Sequence, residues 1–122
     1  MLTTALAVAG PEDPKTRREA NATQVASAWF TAVCKGETAV ATALSDVPFD
    51  ADGKEQIKTV ADLQQLYDRI VQQKGKREPK VDRVVINASN EDEVRVRLET
   101  DGEAVVVTVQ TREAFRVVGF RD

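Results

Sequence analysis

Few residues of this chain could do chemistry, and they do not add up to a complete catalytic set. There is one tyrosine, Tyr67, one cysteine, Cys34, one tryptophan, Trp29, and no histidine. Losing histidine removes the commonest general base near neutral pH and the commonest transition-metal ligand. It also removes Ser-His and Cys-His nucleophile pairs, so Ser27, Ser45 and Ser89 have no such base. A single cysteine excludes an intrachain disulfide and a cysteine-rich zinc site. Cys34 lies in an apolar helical stretch and reads as buried packing. Asp50-Ala51-Asp52-Gly53 has the look of a calcium loop. If Asp50 and Asp52 were loop positions 3 and 5, Pro48 and Thr59 would fill positions 1 and 12, and neither is a carboxylate. The segment reads instead as a hairpin, with Asp52-Gly53 as its type I′ turn. No metal site and no cofactor is expected from these residues.

The elements that must position these side chains fall into two blocks. Up to about Gly75 the apolar spacing is helical, and from about Lys80 the period changes to two. Pro11-Glu12-Asp13-Pro14 breaks the chain ahead of a first helix running from Lys15 or Thr16 to Lys35. Val25, Trp29, Ala32 and Val33 form one stripe of it, alanines 20, 22, 26 and 28 allow close packing, and Gly36 is its stop. Thr38 is positioned to cap a short second helix, Ala39 to Leu44, which Ser45-Asp46 and Pro48 end. A hairpin from about Phe49 to Ile57 follows. Thr59 caps a third helix with the stripe Val60, Leu63, Leu66, Tyr67, Ile70 and Val71. Four strands then alternate apolar and polar residues, as in Val94-Arg95-Val96-Arg97-Leu98. Val105-Val106-Val107 is apolar on both faces, so one face needs a cover other than the helices.

Length and composition bound the class. At 122 residues the chain is one domain, residues 15–122, preceded by an N-terminal arm over 1–14. With 42% apolar and 30% charged residues it is a globular composition rather than a disordered one. The net charge is −3, and basic residues are interleaved with acids, as in Arg95 to Glu99. That argues against nucleic-acid binding. No apolar run is long enough to span a bilayer. Ala7-Val8-Ala9-Gly10 has the small-x-small look of a signal-peptidase site, but no basic segment precedes it. An export-signal remnant, a misplaced start and a plain arm all fit, so the compartment stays open between cytoplasm and export.

Long helix, short helix, hairpin, third helix and four antiparallel strands together resemble the nuclear transport factor two-like superfamily, in the cystatin-like α+β class. The most telling segments are Leu44-Ser45-Asp46-Val47-Pro48-Phe49, Asp52-Gly53-Lys54, Lys58-Thr59, Ala61-Asp62-Leu63 and Phe115-Arg116-Val117-Val118-Gly119-Phe120. They are similar to small bacterial members, some of them exported, and the resemblance covers about Thr16 to Asp122. It implies an α+β fold in which a cone-shaped, bent antiparallel sheet, four main strands plus a short hairpin, wraps three N-terminal helices. It also implies a cavity between the first helix, the third helix and the concave sheet face. Trp29, Phe49, Leu63, Tyr67 and Ile70 are the expected pocket residues, with Tyr67 as the polar tip and entry beside Pro48-Phe49. Relatives often pair through the outer sheet face, which agrees with the two-sided Val105-Val106-Val107 and predicts a homodimer with Val106 near the interface.

The fold hosts many unrelated activities, so function must come from the site. Isomerases of the superfamily set a carboxylate base and phenol or acid donors in an apolar pocket. Here Tyr67 is the phenol, and Asp46 and Asp50 are the nearest carboxylates, both beside turns where acids are ordinary. Dehydratases of the superfamily use a His-Asp pair, which this chain cannot supply. The expectation is a non-catalytic small-molecule-binding or accessory module. An isomerase- or dehydratase-like enzyme on a small apolar substrate is the alternative, and a purely structural dimerisation protein a third.

Overall fold

The computed structural model describes residues 13–122. The arm or signal remnant expected over 1–14 therefore lies, except for Asp13 and Pro14, outside the described residues. Three helices come first: α1 (Pro14–Lys35), α2 (Thr38–Ala43) and, after the strands β1 (Ser45–Ala51) and β2 (Glu55–Ile57), α3 (Val60–Lys74). The chain closes with β3 (Val81–Ser89), β4 (Glu93–Thr100), β5 (Glu103–Gln110) and β6 (Arg116–Arg121).

Local chemistry sets most of these boundaries. The Asp13 carboxylate accepts the Thr16 backbone N–H at 2.9 Å, and Pro14 takes the first helical position, where no N–H is needed. The Thr59 hydroxyl accepts the Asp62 N–H at 3.1 Å and opens α3. The expected cap on α2 is a correction. Glu37 is its N-cap and makes no side-chain bond, while the Thr38 hydroxyl reaches across to Asp68 at 3.0 Å. In the Asp52-Gly53 turn both residues have positive φ, 57° and 69°, and Lys54 N–H closes onto the Ala51 carbonyl at 3.0 Å. Type I′ needs that pair of left-handed conformations, which glycine adopts without strain and aspartate tolerates.

The six strands form one curved, unclosed sheet in the order β2-β1-β6-β5-β4-β3. The meander β3 to β6 is antiparallel as expected. The sheet as a whole is mixed, which corrects the expectation of a wholly antiparallel one. β1 runs parallel to β6, with Asp50 opposite Gly119 and Ala51 opposite Phe120. Gly119 makes that approach possible. A Cβ there would stand 3.0 Å from both the Asp50 Cβ and the Asp50 carbonyl oxygen. The register slips between Thr108 and Val109 against β6, so that Val117 and Phe120, three residues apart, both turn inward. Such bulges bend a sheet around what it covers.

The core fills the concave side. Val94, Val96 and Leu98 of β4, with Val107 and Val109 of β5, are fully buried. They pack with the alanine stripe Ala22, Ala26 and Ala32 of α1, whose small side chains let the helix lie close to the sheet. Leu63, Leu66 and Tyr67 are the buried face of α3, but Val60 is 51% exposed, because the first helical position points away from the core. The α+β cone expected from the sequence is the fold observed.

Candidate functional site

One end of the helix layer is closed by a chain of hydrogen bonds. The Trp29 indole N–H donates to the Tyr67 hydroxyl oxygen at 2.8 Å. Tyr67 and the Ser45 hydroxyl are 2.6 Å apart, and the Ser45 hydroxyl lies 2.6 Å from the Ala41 carbonyl. A carbonyl can only accept, so Ser45 gives its proton to Ala41 and Tyr67 gives its own to Ser45. The direction of every proton is thereby fixed. Ala41 is in the last turn of α2, where carbonyls lack helical partners. The chain ties α1, α2, α3 and the start of β1 together. Tyr67 is 1% exposed, and its burial raises its pKa from the ordinary 10.0, against the lowering effect of its bonds to Ser45 and Trp29.

This arrangement decides the role of several expected site residues. Trp29, Phe49 and Tyr67 do meet, with ring centroids 6.1–6.4 Å apart, and Phe120 joins them 5.8 Å from Trp29. They meet as packed rings in tilted and edge-on contacts rather than around an opening. Phe49 and Leu63 are buried within the same cluster. Among the described residues no carboxylate hydrogen-bonds to Tyr67. Asp46 is exposed and accepts the Val47 N–H at 2.9 Å, while Asp50 pairs with Arg121 at 3.6 Å. Asp52 accepts the Asp122 N–H at 2.9 Å and sits 3.7 Å from the Lys54 ammonium. Among the described residues no group of three or more Cys, Asp or Glu side chains could hold a metal ion, and no helix is long and apolar enough to cross a membrane.

The open space lies beside Trp29, toward the C-terminal ends of α1 and α3. A cleft of about 200 Å³ sits between the C-terminal halves of α1 and α3, roofed by the start of β5 and the end of β6. Its apolar walls are Trp29, Phe30 and Val33 from α1, Ile70 from α3, Val105 from β5 and Phe120 from β6. Of the five expected pocket residues, Trp29 and Ile70 border this cleft. Phe49, Leu63 and Tyr67 do not, and Asp52 stands at the rim in place of Pro48-Phe49. Buried Cys34 also faces the space. The segment after α3 shapes the mouth. Arg77 N–H donates to the Cys34 carbonyl at 2.8 Å, laying residues 75–80 against the end of α1. A second hollow of about 210 Å³ adjoins the first through Phe30, Cys34, Arg77, Thr100 and Glu103.

Phe30, Val33, Val105 and Phe120 escaped the sequence reading as cleft residues. One signal for the first two was present. The apolar stripe of α1 widens at its C-terminal end to Trp29, Phe30, Val33 and Cys34, more than one sheet face can cover.

No protein-family model matches the chain, and no curated protein does either. Among solved structures, Bd1075 of Bdellovibrio bacteriovorus superposes with a TM-score of 0.55 at 10% identity, over 87% of this chain. This chain spans 40% of that one. An NTF-2 like protein of unknown function from Burkholderia xenovorans LB400 gives a TM-score of 0.49 at 17% identity, covering 85% of this chain and 82% of that one. Likenesses at such identities concern the fold alone. The fold is α+β, with its helices ahead of a curved, unclosed mixed sheet.

Proposed function

We propose that this protein is a non-catalytic binding module that takes a small, apolar-bodied molecule in the cleft between α1 and α3. The observation that carries this reading is the cleft itself, concave, apolar on its walls and polar at its rim. At about 200 Å³ it lies below the range of roughly 300–1,000 Å³ usual for drug-sized ligands, so the ligand is small. An isomerase-like enzyme has less support, because the one phenol is bonded to Trp29 and Ser45 and does not line the cleft. A thermal-shift screen of small metabolites tests the proposal. A binder present at 100 times its Kd stabilises the folded state by about 2.7 kcal/mol. Val33→Phe, which fills the cleft from its α1 wall, should abolish the shift. A panel in which no apolar-bodied compound raises the unfolding temperature would overturn the reading.

The same reading takes the protein as a two-fold homodimer through the outer sheet face, with Val106 near the axis. Val106 stands opposite Arg97 and Arg121 on the neighbouring strands. Both arginines already have acids, Glu99 at 2.9 Å and Asp50 at 3.6 Å, so this patch is close to neutral and could meet its own copy.

A further inference from the structure

The charges around the cleft divide by wall, and the division carries information about the ligand. The cationic side chains, Lys74 and Arg77, come from the end of α3 and the segment after it. The acidic ones come from the sheet: Asp52 from the β1–β2 turn, Glu103 from the first residue of β5, and Asp122 just beyond β6. No ion pair joins Lys74, Arg77, Glu103 or the Asp122 side chain to another described residue. Asp52 is the exception, held by Lys54 and the Asp122 N–H. Between the two charged rims lie Trp29, Val33, Ile70, Val105 and Phe120.

A simple anion would meet three acids against two cations, and a simple cation would leave Lys74 and Arg77 unanswered. We infer that the cleft recognises a small zwitterion with an apolar body, its anionic group toward Lys74 and Arg77 and its cationic group toward Glu103 and Asp52. This rests on the proposed binding role of the cleft and adds the chemical class of the ligand. Arg77 can take a carboxylate with two parallel N–H donors, whereas Lys74 acts as a point charge. The adjoining hollow adds Lys80 on the cationic side and Asp101 on the acidic side, and Glu78, which also lines it from the cationic side, is paired with Lys35 at 3.8 Å. The rims are solvated, so the charges select among ligands, and the apolar walls supply most of the affinity.

Four compounds on one ring separate the contributions: 4-(aminomethyl)benzoic acid as zwitterion, 4-methylbenzoic acid as anion, 4-methylbenzylamine as cation and 4-methylbenzyl alcohol as neutral member. Calorimetric titration at low salt should find the zwitterion roughly three- to tenfold tighter than any of the other three. That advantage should shrink at high salt, because exposed charges are screened. The double variant Lys74→Gln/Arg77→Gln should weaken the zwitterion and the anion but leave the cation and the alcohol unchanged. Glu103→Gln should weaken the zwitterion and the cation alone. All three positions are exposed, so the fold should persist, and thermal unfolding checks that. An alcohol that binds as tightly as the zwitterion would overturn the ligand class and leave the binding cleft standing. A series in which no member binds, the alcohol included, would overturn both.

Discussion

The Trp29 indole N–H and the Tyr67 hydroxyl, 38 residues apart in sequence, meet at 2.8 Å in a buried contact between α1 and α3. With Ser45 and Ala41 they form a line of hydrogen bonds in which each hydroxyl both accepts and donates. This line makes Tyr67 a structural residue. Tyr67→Phe should cost about 1–3 kcal/mol, the range for leaving buried partners unsatisfied. Trp29→Ala, which also empties the aromatic cluster, should cost about 3–5 kcal/mol. Denaturant melts of Trp29→Phe, Tyr67→Phe and the double variant would show coupling between the two sites, since they share one bond. Strictly additive losses would mean that the bond contributes nothing.

Alkaline pH offers a second check on the same group. Burial raises the Tyr67 pKa in the folded state, so the unfolded chain loses this proton first. The associated stability is complete below the ordinary value of 10.0 and declines as pH rises through the folded value. Unfolding free energies measured across that window should fall more steeply for the wild type than for Tyr67→Phe. Parallel curves would contradict a buried, protonated phenol.

Gly119 is predicted to be intolerant for a steric reason. Gly119→Ala sets a methyl 3.0 Å from Asp50 backbone and side-chain atoms, so β1 and β6 must separate. The loss should be about 1–3 kcal/mol, as for overpacked sites. Hydrogen exchange should locate it, with faster exchange in β1 and β6 than in β4. Uniform acceleration, or none, would count against the parallel pairing.

For the outer sheet face, Val106→Lys should convert the proposed homodimer to monomer without loss of monomer stability, since Val106 is outside the buried core. Light scattering reads the mass directly. A wild-type monomer at high micromolar concentration would rule the dimer out.

How much of this was legible follows the range of the interactions. Asp52-Gly53, Thr59 and the alternation Val94, Val96, Leu98 act within a few residues, and each has the predicted local structure. The parallel pairing of β1 with β6 joins segments about 70 residues apart, and neither strand carries a mark of its partner beyond Gly119, which serves close approach and not a turn. Tyr67 was legible as buried, because Leu63, Leu66 and Tyr67 share a helical face. Its partner Ser45 was not, because it was expected at the end of a helix and instead begins a strand. The cleft draws on α1, α3, the β1–β2 turn, β5 and β6, so no single stretch of sequence displays it.

Binding of a small apolar-bodied molecule in the cleft between α1 and α3 can be read from one side chain. Trp29 is the sole tryptophan of the chain and borders the cleft, so its fluorescence is an internal reporter. Titration with 4-methylbenzyl alcohol should give a saturable change in Trp29 emission in the wild type and none in Val33→Phe. An unchanged spectrum in the wild type, or the same saturable change in the filled variant, would contradict binding in this cleft.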